Sequence, residues 1–150
     1  MEYERLAKEL VEMQVENARP LSWIADCIAA RGEEQILLML AHRKEAVCAG
    51  ELTEHVGLTS GRVANILKQL ERKGYIERTP GTDDRRKVLV CLTETGRQYT
   101  KNVYEKELDG YAWLLRILGK EDAREFMRLL KQGVNLLGAH HEELFPMSKG

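Results

Sequence analysis

The stretch from Thr59 to Leu92, TSGRVANILKQLERKGYIERTPGTDDRRKVLVCL, changes its apolar period once, and that change decides the fold. Over Ser60 to Lys73, Val63, Ile66, Leu67 and Leu70 recur at steps of three and four, so the spacing predicts an amphipathic helix. Thr59 is placed to cap that helix and Gly74 to end it. The face away from the apolar stripe carries Arg62, Asn65, Lys68, Gln69 and Arg72. From Tyr75 the helical period is gone. Tyr75 to Arg78 reads as a strand, Thr79 to Asp84 as a turn, and Lys87 to Leu92 as a returning strand. A hairpin directly after a helix with a basic outer face is a wing.

Upstream, Ala49 to Val56 reads as a short helix with Leu52 and Val56 on one face and Gly57 at its stop, which gives helix, tight turn, helix. Before it, Gln35-Ile36-Leu37-Leu38-Met39-Leu40 is apolar nearly all round, as a helix at the centre of a small domain must be. Glu33 and Glu34 precede that run and Arg43 and Lys44 follow it, the signs a helix dipole favours. Farther out, Tyr3, Leu6, Leu10 and Met13 form a helical stripe that Pro20 interrupts, and Leu21 to Ala30 resumes in helical style. At the other end Tyr104, Leu108, Tyr111, Leu115 and Leu118 step in the same way. After Gly119 the pattern repeats with Ala123, Met127, Leu130, Val134 and Leu137.

The expected fold class is therefore mainly α with a small β-hairpin wing, a winged helix-turn-helix with N- and C-terminal dimerisation helices. The expected boundaries are 1–31 for the N-terminal dimerisation region, 32–96 for the winged helix, 97–145 for the C-terminal dimerisation helices and 146–150 for a tail. Period alone fits self-packing as well as dimerisation. Three apolar helices nevertheless exceed what so small a winged helix needs to cover itself, which favours a homodimer.

Composition narrows the class. The chain has 150 residues, 43% of them hydrophobic and 31% charged, the balance of a soluble globular protein. No apolar run approaches the roughly 18 residues that a membrane span needs, and the acidic, amphipathic start is unlike a secretory signal. Cys27, Cys48 and Cys91 are odd in number, far apart and without a CxxC pair, so they read as free thiols in a reducing cytoplasm. The formal net charge is −1, but between Thr59 and Val90 eight cations stand against four anions. A basic centre between acidic ends suits contact with phosphate through the middle only. There is no GxSxG, HExxH or glycine-rich phosphate loop, so no enzyme, catalytic residue or cofactor is expected. His42, His140 and His141 invite a metal reading. Adjacent histidines on a helix point about 100° apart, however, and no metal site is assigned.

From Glu33 to Gly96 the sequence resembles the MarR (multiple antibiotic resistance regulator) family of winged-helix transcriptional regulators. Asp84-Arg85-Arg86, Val90, Leu92-Thr93 and Gly96 are similar to the family's D-R-R-x-x-x-V-x-L-T-x-x-G signature without a gap. Gly61-Arg62-Val63 through Leu70-Glu71-Arg72-Lys73-Gly74-Tyr75-Ile76 resembles its recognition helix and exit, and Glu51-Leu52 sits where E-L-A is usual, with Thr53 in place of the alanine. The wing turn departs: D/N-P commonly precedes D-x-R, whereas here Gly81-Thr82 stands there and Pro80 comes one place early. The resemblance implies a homodimer with interlocked terminal helices, and an Asp84 that orients Arg86 toward a minor groove.

Residue chemistry points to the same partner, double-stranded DNA. Arg62 and Asn65, one turn apart near a helix start, can read base edges in a major groove. Thr59 and Ser60 stand at the free N–H groups that suit a phosphate, and Lys68 and Arg72 lie farther along for other phosphates. Arg85 or Arg86 at the wing tip would enter the adjacent minor groove. The expected function is a sequence-specific transcriptional regulator, a repressor on a pseudo-palindromic operator, released by a small-molecule effector. Trp23, Tyr111 and Trp113 are candidates to line an effector crevice. Two alternatives remain open at this point: a redox-sensing repressor using Cys27, with Cys48 second, and a winged-helix module that binds protein. The latter predicts a neutral or apolar outer face on Ser60 to Lys73.

Overall fold

The computed structural model describes residues 1–20, 22 and 32–144, the side chains of 141–144 excepted. Trp23, Cys27 and most of the expected Leu21–Ala30 helix lie outside the described residues, as does the side chain of His141. In chain order the elements are α1 (Glu2–Glu16), α2 (Gly32–Arg43), β1 (Val47–Cys48), α3 (Ala49–Val56), α4 (Ser60–Arg72), β2 (Ile76–Pro80), β3 (Val88–Leu92), α5 (Glu94–Leu118) and α6 (Lys120–Leu144). They divide into two compact units, 1–107 and 108–150, the division falling inside α5.

The core of the first unit lies where the apolar periods converge. Ile36, Leu37, Met39 and Leu40 of α2 are buried, as a run apolar on every side requires. Around them pack Val47, Leu52 and Val56, then Val63, Leu67 and Leu70 of α4, and finally Ile76, Val90 and Leu92 from the strands. The sheet has three antiparallel strands in the order β1-β3-β2, one more than the hairpin expected from sequence. A two-residue strand is too short to display a period. It forms because Val47, opposite Val90, is itself a core residue.

Two devices lock the ends of α4 and the hairpin. Gly74 takes φ +74°, a conformation that costs a side-chain-bearing residue about 1–2 kcal/mol, and so turns the chain out of α4. Tyr75 N then donates to Leu70 O at 3.0 Å. At the far end of β3, Thr93 N donates to Tyr75 O (3.0 Å), while its hydroxyl donates to Gly74 O (2.6 Å) and accepts from Gly96 N (2.9 Å). One threonine thereby caps α5 and ties it to the exit of α4.

In the second unit Gly119, at φ +79°, ends α5 where the stripe broke in the sequence. Trp113, Ile117, Leu129, Val134, Leu136 and Leu137 are exposed there in the single chain. In the first unit α1 buries nothing and exposes Tyr3, Leu6, Leu10, Val11, Met13 and Val15. Among the described residues no helix is long and apolar enough to cross a membrane.

Candidate nucleic-acid interface

The side chains of α4 sort by period into two faces. Val63, Leu67 and Leu70 enter the core, whereas Arg62, Asn65, Lys68, Gln69 and Arg72 are exposed on the opposite face. The Thr59 hydroxyl accepts from Arg62 N at 3.3 Å, so Thr59 caps the helix and Ser60 opens it. Arg62 and Asn65 sit together on the first exposed turn, with Lys68 and Arg72 following toward the C-terminus.

At the wing tip Asp84 is the organising residue. One carboxylate oxygen, Oδ1, accepts from Arg86 N at 3.0 Å and from Arg86 Nε at 3.3 Å. Asp84 O also accepts from Lys87 N (3.0 Å), and Gly81 N donates to Lys87 O (2.8 Å), which closes the loop. A Cβ on Gly81 would stand 2.5 Å from Asp84 O, so the loop is drawn tight enough that only glycine fits. This gives the departure from the D/N-P turn a physical reason. The Arg86 side chain remains 92% exposed although its direction is held, while Arg85 and Lys87 are exposed beside it.

Charge pairing separates scaffold from surface. Arg43 pairs with Glu51, Lys73 with Glu33, Arg78 with Glu71, and Arg97 with Glu94. Glu33 holds the Lys73 ammonium above its ordinary range, and Arg78 holds the Glu71 carboxyl below its own. By contrast Arg62, Lys68, Arg72, Arg85 and Lys87 take part in no ion pair among the described residues, and all five lie on the outer face of α4 or at the wing. Cations left unpaired in a group create a local positive potential in a chain of net charge −1.

Residues 34–88 match the MarR family model. Over that stretch the chain is similar to the MarR family of winged-helix proteins. Among curated relatives, HTH-type transcriptional regulator YfiV of Bacillus subtilis is 30% identical over 70 residues, 47% of this chain and 44% of that protein. HTH-type transcriptional regulator SarZ of Staphylococcus aureus is 39% identical over 62 residues, 41% of this chain and 42% of its own length. The chain thus spans less than half the length of these relatives. Among solved structures, the reduced form of MarR from E. coli is 22% identical with a TM-score of 0.62, over 83% of this chain and 93% of that one. The S. aureus MepR–DNA complex is 20% identical with a TM-score of 0.64, over 90% and 97%. At these identities the likeness establishes the fold.

The other sequence candidates fall elsewhere in the chain. Tyr111 is half-buried and Trp113 exposed, both in the second unit. Two adjoining concavities of about 450 and 370 Å³ in the first unit are lined instead by the end of α2, by β3 and by α5; they share Ala41, Lys44 and Arg97. Neither Tyr111 nor Trp113 lines them. Cys48 and Cys91 are half-buried free thiols. Among the described residues no group of three or more His, Cys, Asp or Glu is gathered to hold a metal ion.

Of three organising residues, Arg78 was not singled out in the sequence, and Thr93 and Gly81 entered it only as members of a motif and a turn. For Arg78 a signal existed, because strand alternation puts it on the same side as Ile76, toward α4.

Proposed function

We propose that this protein is a homodimeric, sequence-specific double-stranded DNA-binding regulator that represses transcription from a pseudo-palindromic operator. The observation that carries the reading is the grouping of unpaired cations on one face of α4, beside a wing tip whose Arg86 is held by Asp84. A helix fills a B-DNA major groove while an arginine-tipped hairpin reaches the neighbouring minor groove, so the two elements address adjacent grooves of one duplex. Arg62 and Asn65 take the base edges; Thr59, Ser60, Lys68 and Arg72 take phosphates; Arg85 and Arg86 serve the wing. The cationic outer face disfavours a protein-binding module.

The exposed apolar residues of α1, α5 and α6 supply the surface for a second copy, because single-chain exposure of so many large side chains is unusual in a monomer. A two-fold dimer places its recognition helices on half-sites about 34–36 Å apart or a multiple of that. The concavities at the end of α2 favour release by a small ligand, with Ala41, Lys44 and Arg97 common to both.

The test is binding to duplexes enriched from a random-sequence library, read by fluorescence anisotropy across salt concentrations. Unsubstituted protein is expected to bind with a steep salt dependence, and Arg86→Ala to cost about 1–3 kcal/mol. Lys68→Ala is expected to flatten the salt slope by about one unit. Light scattering is expected to give twice the 17.2 kDa chain mass. No enrichment of any duplex at low salt would refute the DNA reading.

A further inference from the structure

Glu71 is the only acidic residue of α4, and it sits in the last turn. A carboxylate there opposes the helix dipole and is the wrong charge for a phosphate-binding helix. It is held by Arg78 of β2, whose Nε and Nη2 both donate to Glu71 Oε2, the Nε bond at 2.9 Å. Both side chains are about two-thirds covered, Arg78 at 34% and Glu71 at 39% exposure. Arg78 pairs across the sheet with Val90, and Ile76, on the same side, is in the core. Its side chain therefore runs back toward α4, just past the edge of the core. Among the described residues this is the last hydrogen-bonded tie from the hairpin to α4. Between Thr79 and Val88 the hydrogen bonds run within the hairpin itself.

We infer that the Glu71–Arg78 pair is a positioning clamp that sets the angle of the wing to α4, so that Arg86 and the outer face of α4 reach one duplex together. The inference rests on the DNA-binding reading above. A guanidinium bonded through two N–H groups has a fixed direction, unlike a lysine point charge, so the pair constrains orientation as well as distance. With α4 seated in one groove, a wing free to swing would spread Arg86 over many positions and lose its contact. The carboxylate, meanwhile, is neutralised before it can face phosphate.

The structure supplies its own control. Lys73 Nζ meets both carboxylate oxygens of Glu33 at 2.8 Å, an ion pair of similar exposure that ties the end of α4 to α2 and not to the wing. The experiment compares Glu71→Gln and Glu33→Gln, each with and without Arg86→Ala, in full-length protein on a duplex enriched from a random library. Amide hydrogen exchange of residues 79–88 is followed in parallel. In the unsubstituted background Arg86→Ala is expected to weaken binding about tenfold. In the Glu71→Gln background the expected loss is about threefold or less, because the wing contact is already gone. Exchange through the hairpin should rise in Glu71→Gln and stay unchanged in Glu33→Gln, even where both lower the melting temperature alike.

A full tenfold loss and unchanged hairpin exchange in the Glu71→Gln background would overturn the clamp while leaving the DNA reading intact. Tighter binding with a steeper salt slope would also overturn it, since the pair would then be masking a phosphate-binding Arg78. If the unsubstituted protein binds no duplex, the DNA reading itself falls, and the clamp's purpose falls with it.

Discussion

Gly96→Ala should unfold the winged helix at a lower temperature, for a steric reason. Gly96 lies in the first turns of α5 and is buried. A Cβ there would stand 1.9 Å from Tyr75 O and 2.8 Å from Tyr75 C. Ordinary carbon–oxygen approach is about 3.3 Å, so the helix start must retreat by roughly 1.4 Å. The atoms in the way are backbone and cannot rotate aside. Retreat strains the bonds that seat α5: Thr93 N to Tyr75 O, the Thr93 hydroxyl to Gly74 O, and Gly96 N to that hydroxyl. At about 1 kcal/mol for each of the three bonds lost, with about 1–3 kcal/mol for overpacking, the cost is about 4–6 kcal/mol. That is a large share of the roughly 5–15 kcal/mol of an ordinary domain. At about 2–4 °C per kcal/mol for a chain of this length the melting temperature should fall by about 8–24 °C in a far-UV circular dichroism scan. A fall of less than about 5 °C, or a loss under about 1 kcal/mol by urea titration, would refute the reasoning. It would mean that α5 can seat without the close approach to Tyr75.

Gly61→Ala should do the opposite: its Cβ would meet nothing within 4 Å, so replacing a helical glycine should stabilise the fold by about 0.5–1 kcal/mol in a urea titration, and a loss of stability would contradict the open geometry. Gly81→Ala should distort the wing loop, because its Cβ meets Asp84 O at 2.5 Å; DNA affinity should fall toward that of Arg86→Ala while the melting temperature changes by only a few degrees. The Glu71 carboxyl is held below its ordinary range by Arg78, so its contribution is whole above the unfolded carboxylate value near about pH 4.3 and is lost as pH falls through the lower folded value. The urea midpoint should therefore drop less steeply on acidification in Glu71→Gln than in the unsubstituted protein, and equal slopes would remove that coupling. Trp113→Glu or Leu10→Glu, each placing a charge on an exposed apolar helix face, should shift the light-scattering mass toward 17.2 kDa; an unchanged dimer would move the interface elsewhere.

How far the sequence reveals the fold depends on whether a feature is periodic. Val63, Leu67 and Leu70 recur at helical steps, and the switch to alternation after Gly74 marks a strand, so α4 and the hairpin were legible from Thr59–Leu92 alone. β1 was not, because Val47 and Cys48 offer too few residues for any period and owe their pairing to Val90 across the chain. On the outer face of α4, Arg62, Asn65, Lys68 and Arg72 were legible as exposed residues, the complement of the buried stripe. Arg78 was not singled out: its role depends on Glu71, a partner that only the turn at Gly74 brings within reach. Gly81 looked like a departure from a pattern until the approach of Asp84 O gave it a cause.

That contrast separates two kinds of charged residue in a chain whose charges nearly cancel. Glu33, Glu51 and Glu71 each hold one cation from another part of the scaffold, and Glu94 holds Arg97 within α5. Between Thr59 and Val90, setting aside the paired Lys73, Arg78 and Arg86 leaves Arg62, Lys68, Arg72, Arg85 and Lys87 displayed on one helix face and one hairpin. Exposed pairs of the scaffold kind are each worth little in stability. Their arrangement nonetheless determines which cations remain available to a polyanion. Net charge is therefore a poor guide to nucleic-acid binding in a chain of this kind. A surface-charge count after pairing, made residue by residue along α4 and the wing, is the quantity that bears on it.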